Sequence, residues 1–146
     1  MTASGPAPQT EPVPTADERT MATLAHVLQM VGWFIAPLII FFLKRESRFV
    51  SFHALQAVFL QLVYLLVWIA FTLVWFAFLF GTIFTGPKSG PPPPLFFILV
   101  SLVWVISMGT WVLLLATAII YGVKAGKGEW AEYPVIGGWA RKVLSD

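Results

Sequence analysis

FVSFHALQAVFLQLVYLLVWIAFTLVWFAFLFGTIFT, residues 49–85, contains no charged side chain. Wholly helical, it is about 55 Å long at 1.5 Å per residue, longer than one perpendicular crossing of a hydrocarbon core about 30 Å thick. Two crossings and a turn do not fit in it, and no cluster of turn residues interrupts it before Gly81. It reads as one long helix whose first two or three turns lie at the membrane interface. Outward from it the pattern repeats: no charge falls between Arg19 and Lys44, nor between Lys88 and Lys124. Only 11% of the 146 residues are charged and 58% are apolar. A mean hydropathy of +0.82 excludes a soluble globule.

The predicted fold is all-α, with three transmembrane helices. Residues 24–43 form the first span, kinked at Pro37, where the ring removes one backbone hydrogen bond. Residues 49–85 hold the second. Gly86 to Pro94 carries a proline run that must be extended and so reads as an aqueous loop. Residues 95–123 supply the third span. The organisation predicted is a tail over 1–20, a membrane domain over 21–137 and a C-terminal tail over 138–146. The first tail holds Pro6, Pro8, Pro12 and Pro14 among small and polar residues, so it is expected to be disordered. It lacks the basic start and apolar run of a signal peptide. Thr15-Ala16-Asp17-Glu18 has the form of a capping box, predicting a helix start near Ala16.

Counting Lys and Arg near the span ends sets an orientation. Lys44, Arg45, Arg48, Lys124, Lys127, Arg141 and Lys142 fall on one side of a three-span chain, and Arg19 and Lys88 on the other. A cell-membrane protein with its N-terminus outside and its C-terminus cytoplasmic is expected. Val135, Ile136, Trp139 and Val143 recur at helical spacing beside Arg141 and Lys142, as in a short amphipathic helix on anionic headgroups. A merely solvated basic end fits the same residues.

The flanks of the spans resemble a known family. Leu24-Ala25-His26, Ala36-Pro37-Leu38-Ile39-Ile40, Lys44-Arg45 and Phe49-Val50-Ser51-Phe52-His53-Ala54-Leu55-Gln56-Ala57 are similar to the bacterial membrane family that is like the twenty-kilodalton subunit of the chloroplast inner-envelope protein translocon. Lys124-Ala125-Gly126-Lys127-Gly128-Glu129 with Tyr133-Pro134 resembles that family's closing motif. The resemblance covers most of residues 20–137. It implies a small multi-span protein with no established activity or cofactor.

The residues permit little chemistry. With no cysteine, thiol catalysis and cysteine-based metal sites are excluded. No carboxylate pair or nucleophile elbow occurs, and Gly126-Lys127-Gly128 lacks the rest of a phosphate loop. A net charge of +2 is too small and scattered for a nucleic-acid surface. In the three-span arrangement His26 and His53 lie near opposite faces, about a bilayer thickness apart, and cannot share a metal. No cofactor, metal or catalytic residue is expected.

Polar residues at helical spacing are more informative. His53, Gln56, Gln61 and Tyr64 line one side of the second helix; Ser107, Thr110, Thr117 and Tyr121 line one side of the third. The stripes are expected to face each other, Gln61 opposite Thr117, as glue between spans or as the lining of a hydrated path. The function expected is a non-enzymatic structural or accessory subunit, whose basic inner face touches anionic lipid or a cytoplasmic partner. The alternative is a transport subunit forming a path as an oligomer. The expected partners are the bilayer and a second copy or another membrane protein.

Overall fold

The computed structural model describes residues 12–86 and 93–145. They form five helices: α1 Ala16–Gly32, α2 Ile35–Leu43, α3 Arg48–Thr85, α4 Pro94–Gly126 and α5 Ile136–Ser145. The first eleven residues of the expected disordered tail lie outside the described residues. Helix α1 starts at the expected place. The Thr15 side chain accepts from Glu18 N at 3.3 Å, and the Glu18 carboxylate accepts from Thr15 N at 2.7 Å.

The first predicted span is not formed. Helix α1 ends at Gly32, Trp33 takes φ 50°, and α2 starts at Ile35. Pro37 therefore sits in the first turn of a new helix, where its missing N–H costs nothing, rather than inside an old one. A Cβ on Gly32 would lie 2.6 Å from the Ala36 Cβ, so the reversal depends on glycine. The chain turns back on itself. Lys44 Nζ reaches Asp17 Oδ2 at 2.7 Å, and Ser47 Oγ donates to Glu18 at 2.6 Å. Both ends of the α1–α2 hairpin thus lie at the same end of the molecule. A nine-residue α2 is about 13 Å long, less than half the hydrocarbon thickness. Among the described residues the helices long and apolar enough to cross a membrane are two, α3 and α4.

Helix α3 forms in one piece, capped by Ser47 Oγ, which accepts from Val50 N at 3.3 Å. Its base is buried on every side over residues 49–58, and from Leu62 onward it is largely exposed. The burial comes from α1, α2 and α5, all packed against α3. Helix α1 also packs along α4, where Ala22, Ala25, Ala118, Gly122 and Ala125 permit close approach. Thr23 Oγ1 donates across this seam to Gly122 O at 3.1 Å. With α1 wedged between their bases, α3 and α4 barely touch each other, and the rings of Phe78 and Phe96 meet farther out, 6.3 Å between centroids. Helix α5 forms and turns Ile136, Gly137 and Ala140 onto the base, leaving Trp139 and Val143 half exposed.

Among the described residues every charged side chain belongs to this base or its rim: residues 17–19, 44–48, 124–132 and 141–142. The molecule is a compact cap carrying two long apolar helices. The start of α1 and helix α5, expected on opposite sides, lie at the same end of the described molecule, because Asp17 touches Lys44 and α5 packs on the start of α3.

Candidate functional site

The cap encloses an unusual set of polar groups. His26, Gln29, Ser51, His53 and Gln56 are fully buried, and Gln61 nearly so. Buried polar atoms need partners, and the loop between α4 and α5 supplies most of them. His53 Nε2 lies 3.1 Å from Glu129 O. Gln56 Nε2 donates to Ala131 O at 3.1 Å and its Oε1 accepts from Tyr133 N at 2.6 Å. Tyr121 donates to Glu132 O at 2.9 Å. Tyr133 is thereby pulled into the core, its ring 4.2 Å from that of Tyr121.

The central contact corrects the sequence reading. His26 Nε2 and His53 Nδ1 lie 3.0 Å apart, not a bilayer thickness, because the hairpin returns His26 to the base of α3. Tyr133 Oη lies 2.9 Å from His26 Nδ1, and Gln29 Nε2 donates to Tyr133 Oη at 3.5 Å. One carbonyl orders the whole chain. Glu129 O can only accept, so His53 Nε2 carries the proton and Nδ1 of the neutral ring is an acceptor. His26 Nε2 must then donate, its Nδ1 must accept, and the Tyr133 proton is committed to it. Burial pushes the Tyr133 hydroxyl up from its ordinary value of 10, keeping it a donor. Each ring nitrogen of the two histidines and the Tyr133 hydroxyl has a partner in this relay. Among the described residues no group of three His, Asp or Glu side chains is arranged to hold a metal.

The two polar stripes do not face each other. His53 and Gln56 point into the cap, and Gln61 Nε2 donates to Gln29 O at 2.9 Å. That carbonyl is one of the last four of α1, which lack helical partners, so Gln61 acts as its cap. Tyr64 accepts from Trp68 Nε1 at 2.7 Å. On α4, Ser107 is half-buried, while Thr110 and Thr117 donate back to Ile106 O and Leu113 O, each at 2.7 Å. The expected pair of Gln61 with Thr117 is absent, because α1 separates the helices at that level.

Of the basic residues, Lys44 pairs with Asp17, and Arg141 with Glu132. The Arg141 guanidinium also lies 5.1 Å from the Phe52 ring centre, and Lys124 sits 5.3 Å from that of Tyr121. Arg45, Arg48, Lys127 and Lys142 are exposed on the rim.

Sequence reasoning passed over Gln29 and Tyr133. A signal for Gln29 was present: His26-Val27-Leu28-Gln29 and His53-Ala54-Leu55-Gln56 repeat the same pattern, with His and Gln three apart on one helix face.

Residues 17–140 match the magnetosome magnetite crystal formation protein family, MamF/MmsF. The chain belongs to this family. The match takes in the hairpin, both long helices, the closing loop and the start of α5, and so includes the whole buried relay. It overturns the translocon-like resemblance, since the flanking motifs that carried it fall within the matched residues. No curated protein and no solved structure matches the chain. Membership of the family and the two long apolar helices agree on a membrane location.

Proposed function

We propose that this chain is a non-enzymatic accessory protein of the membrane in which magnetite crystals form, anchored by α3 and α4 and presenting its cap to one aqueous side. The observation that carries this reading is the closed relay from Gln29 to Glu129, whose tyrosine and histidines are consumed in holding loop 127–135 on the bundle. A cap so occupied is a platform rather than a reaction centre. Every Lys and Arg among the described residues lies in the cap or on its rim. The positive-inside rule therefore favours a cytoplasmic cap. Arg45, Arg48, Lys127 and Lys142 on the rim fit anionic headgroups, each contributing about 1 kcal/mol near the surface.

The test has two parts. Removing the gene from a magnetite-forming cell should change the size or shape of the crystals, and the intact chain should restore them. Tyr133→Phe and His53→Asn, wherever the variant inserts and folds, should restore them too. Crystals indifferent to the loss of the chain would overturn the assignment. A folded, inserted Tyr133→Phe chain that restores nothing would assign chemistry to the cap instead.

A further inference from the structure

The far end of the α1–α2 hairpin is bare and apolar. Val31, Trp33, Ile35, Ile39, Phe42 and Leu43 are all exposed, Val31 by 86%. Over residues 27–43 the one polar side chain besides the Trp33 indole is Gln29, and it is sealed inside. A contiguous apolar surface of this kind marks contact with a membrane or another protein. The charged groups lie at the opposite end of the hairpin, where Lys44 meets Asp17.

Helix α3 sets the depth of the tip. A hydrocarbon core about 30 Å thick takes about 20 residues of upright helix, and any stretch of that length placed within the charge-free run 49–85 includes residues 66–68. Tilting only lengthens the stretch. Trp68 is therefore at hydrocarbon depth in every placement. Val31 and Trp33 line one cavity with Leu65, Trp68 and Ile69, so the tip stands beside that part of α3 and its apolar surface continues the one α3 presents to lipid. It does not pass through, because the Lys44–Asp17 pair holds both hairpin ends at the charged base and α2 is about 13 Å long. The helix ends at the tip are also finished for a dry setting, where water cannot satisfy them. Gln61 Nε2 donates to the Gln29 carbonyl at the end of α1, and Pro37 removes one of the opening donors of α2.

We infer that the hairpin tip is immersed in the acyl chains of the cap-side leaflet and ends there, making the chain a wedge that favours a bilayer convex on the cap side. On that side α1 and α2 stand beside α3 and α4. Farther out only α3 and α4 remain, and they converge, the rings of Phe78 and Phe96 stacking 6.3 Å apart. Each of the two extra helices, about 10 Å across, displaces acyl chains in one leaflet alone. The inference rests on the anchoring of α3 and α4 proposed above and is independent of any role in crystal formation.

The chain has no cysteine, so single nitroxide labels can be placed at Val31→Cys, Leu73→Cys and Lys142→Cys in the full chain in phosphatidylcholine vesicles. Power saturation against oxygen and a water-soluble nickel chelate reads their depth. Position 31 should be sheltered from nickel and no deeper than about 15 Å, half the core, with position 73 sheltered and position 142 open. An impermeant maleimide should reach Val13→Cys and Glu46→Cys from the same side. A nickel-exposed position 31 beside a sheltered position 73 would overturn the inference and leave the anchoring standing, whereas an exposed position 73 would sink both. Labelling of positions 13 and 46 from opposite sides would overturn it. So would dipolar broadening at position 31 that dilution with unlabelled chain relieves, which would assign the bare face to a second copy.

The wedge is read in membrane tubes pulled from giant vesicles. An impermeant dye added outside to Lys142→Cys marks the chains whose cap faces outward. Their dye should be enriched in the tube over a lipid dye, increasingly as the tube narrows. Val31→Asp with Ile35→Asp, both at exposed positions, should draw the tip toward water and abolish the enrichment. An even distribution of the parent chain, or enrichment that survives both Asp substitutions, would overturn the inference.

Discussion

His26 and His53, 27 residues apart in sequence, meet through Nε2 and Nδ1 at 3.0 Å with their rings edge-on at 83°. Neither ring could take this position if α1 crossed the membrane. The contact is therefore the record of the hairpin, and it ties α1 to α3 where the rest of the cap is assembled. Since the Glu129 carbonyl orders the donors, a defect at one end of the relay is felt at the other.

Tyr133→Phe should destabilise the chain by about 1 to 3 kcal/mol, because His26 Nδ1 and Gln29 Nε2 both lose their partner in a dry core. Thr110→Val, which removes only a bond within its own helix, should change stability by less than about 0.5 kcal/mol. Reversible unfolding in mixed micelles, followed by helical circular dichroism, measures both. Equal losses would show that the relay contributes nothing particular.

Gln61→Leu should cost about 1 to 2 kcal/mol, since it bares the Gln29 carbonyl at the end of α1. Combined with Thr117→Val, the effects should add within about 0.5 kcal/mol, as expected of residues that share no partner. A coupling well beyond that in the double-mutant cycle would revive the direct pairing that spacing suggested.

Glu18 gives a pH dependence of known sign. The Ser47 hydroxyl, the Thr15 backbone and the Thr15 hydroxyl hold its carboxyl below the ordinary 4.5. A depressed folded-state pKa stabilises above the unfolded value and is lost as pH falls through the folded one. The hairpin should thus be at full strength above about pH 5 and loosen in the acid range below 4.5. Thermal melts from pH 6 to pH 3 would follow this, and Glu18→Gln should flatten the part of the slope that belongs to this group.

Gly32→Val places a side chain where even a Cβ meets Ala36 at 2.6 Å, so the reversal at Trp33 should open. Because the chain has no cysteine, single cysteines introduced by Thr10→Cys, Ser89→Cys and Ser145→Cys report sidedness cleanly. In the parent chain positions 10 and 145 should label from one side and position 89 from the other. Gly32→Val should give position 10 mixed labelling as some chains straighten α1 and α2 into one crossing. Labelling of positions 10 and 145 from opposite sides in the parent would refute the hairpin.

Much of the fold could be read in advance, for identifiable reasons. The start of α1 is a local matter of Thr15 and Glu18, and the length of α3 follows from an uninterrupted apolar run. The hairpin was hidden because residues 24–43 have the length and composition of a span; only Gly32 beside Trp33 marks the break, and a glycine within an apolar run is common in membrane helices. Misplacing that one turn carried the other errors with it. It set His26 far from His53, put the chain ends on opposite sides and let the polar stripes appear to face each other. Gln56 and Tyr121 were recognised as polar contacts, yet their partners are backbone atoms of residues 131–133, and no side-chain pattern announces a backbone partner.

The 107 residues separating His26 from Tyr133 also impose an order on biogenesis. At about 5 to 20 residues per second, His26 is synthesised roughly 5 to 20 s before its partner. Through that interval the hairpin has only its own clasps, Asp17 on Lys44 and Glu18 on Ser47, while Gln56 and His53 wait with unsatisfied edges. The cap can close only after α4 has been made and has brought loop 127–135 back against α3. A chain whose loop 127–135 fails to dock keeps those edges bare, with polar groups of the cap left without the partners that a finished chain supplies.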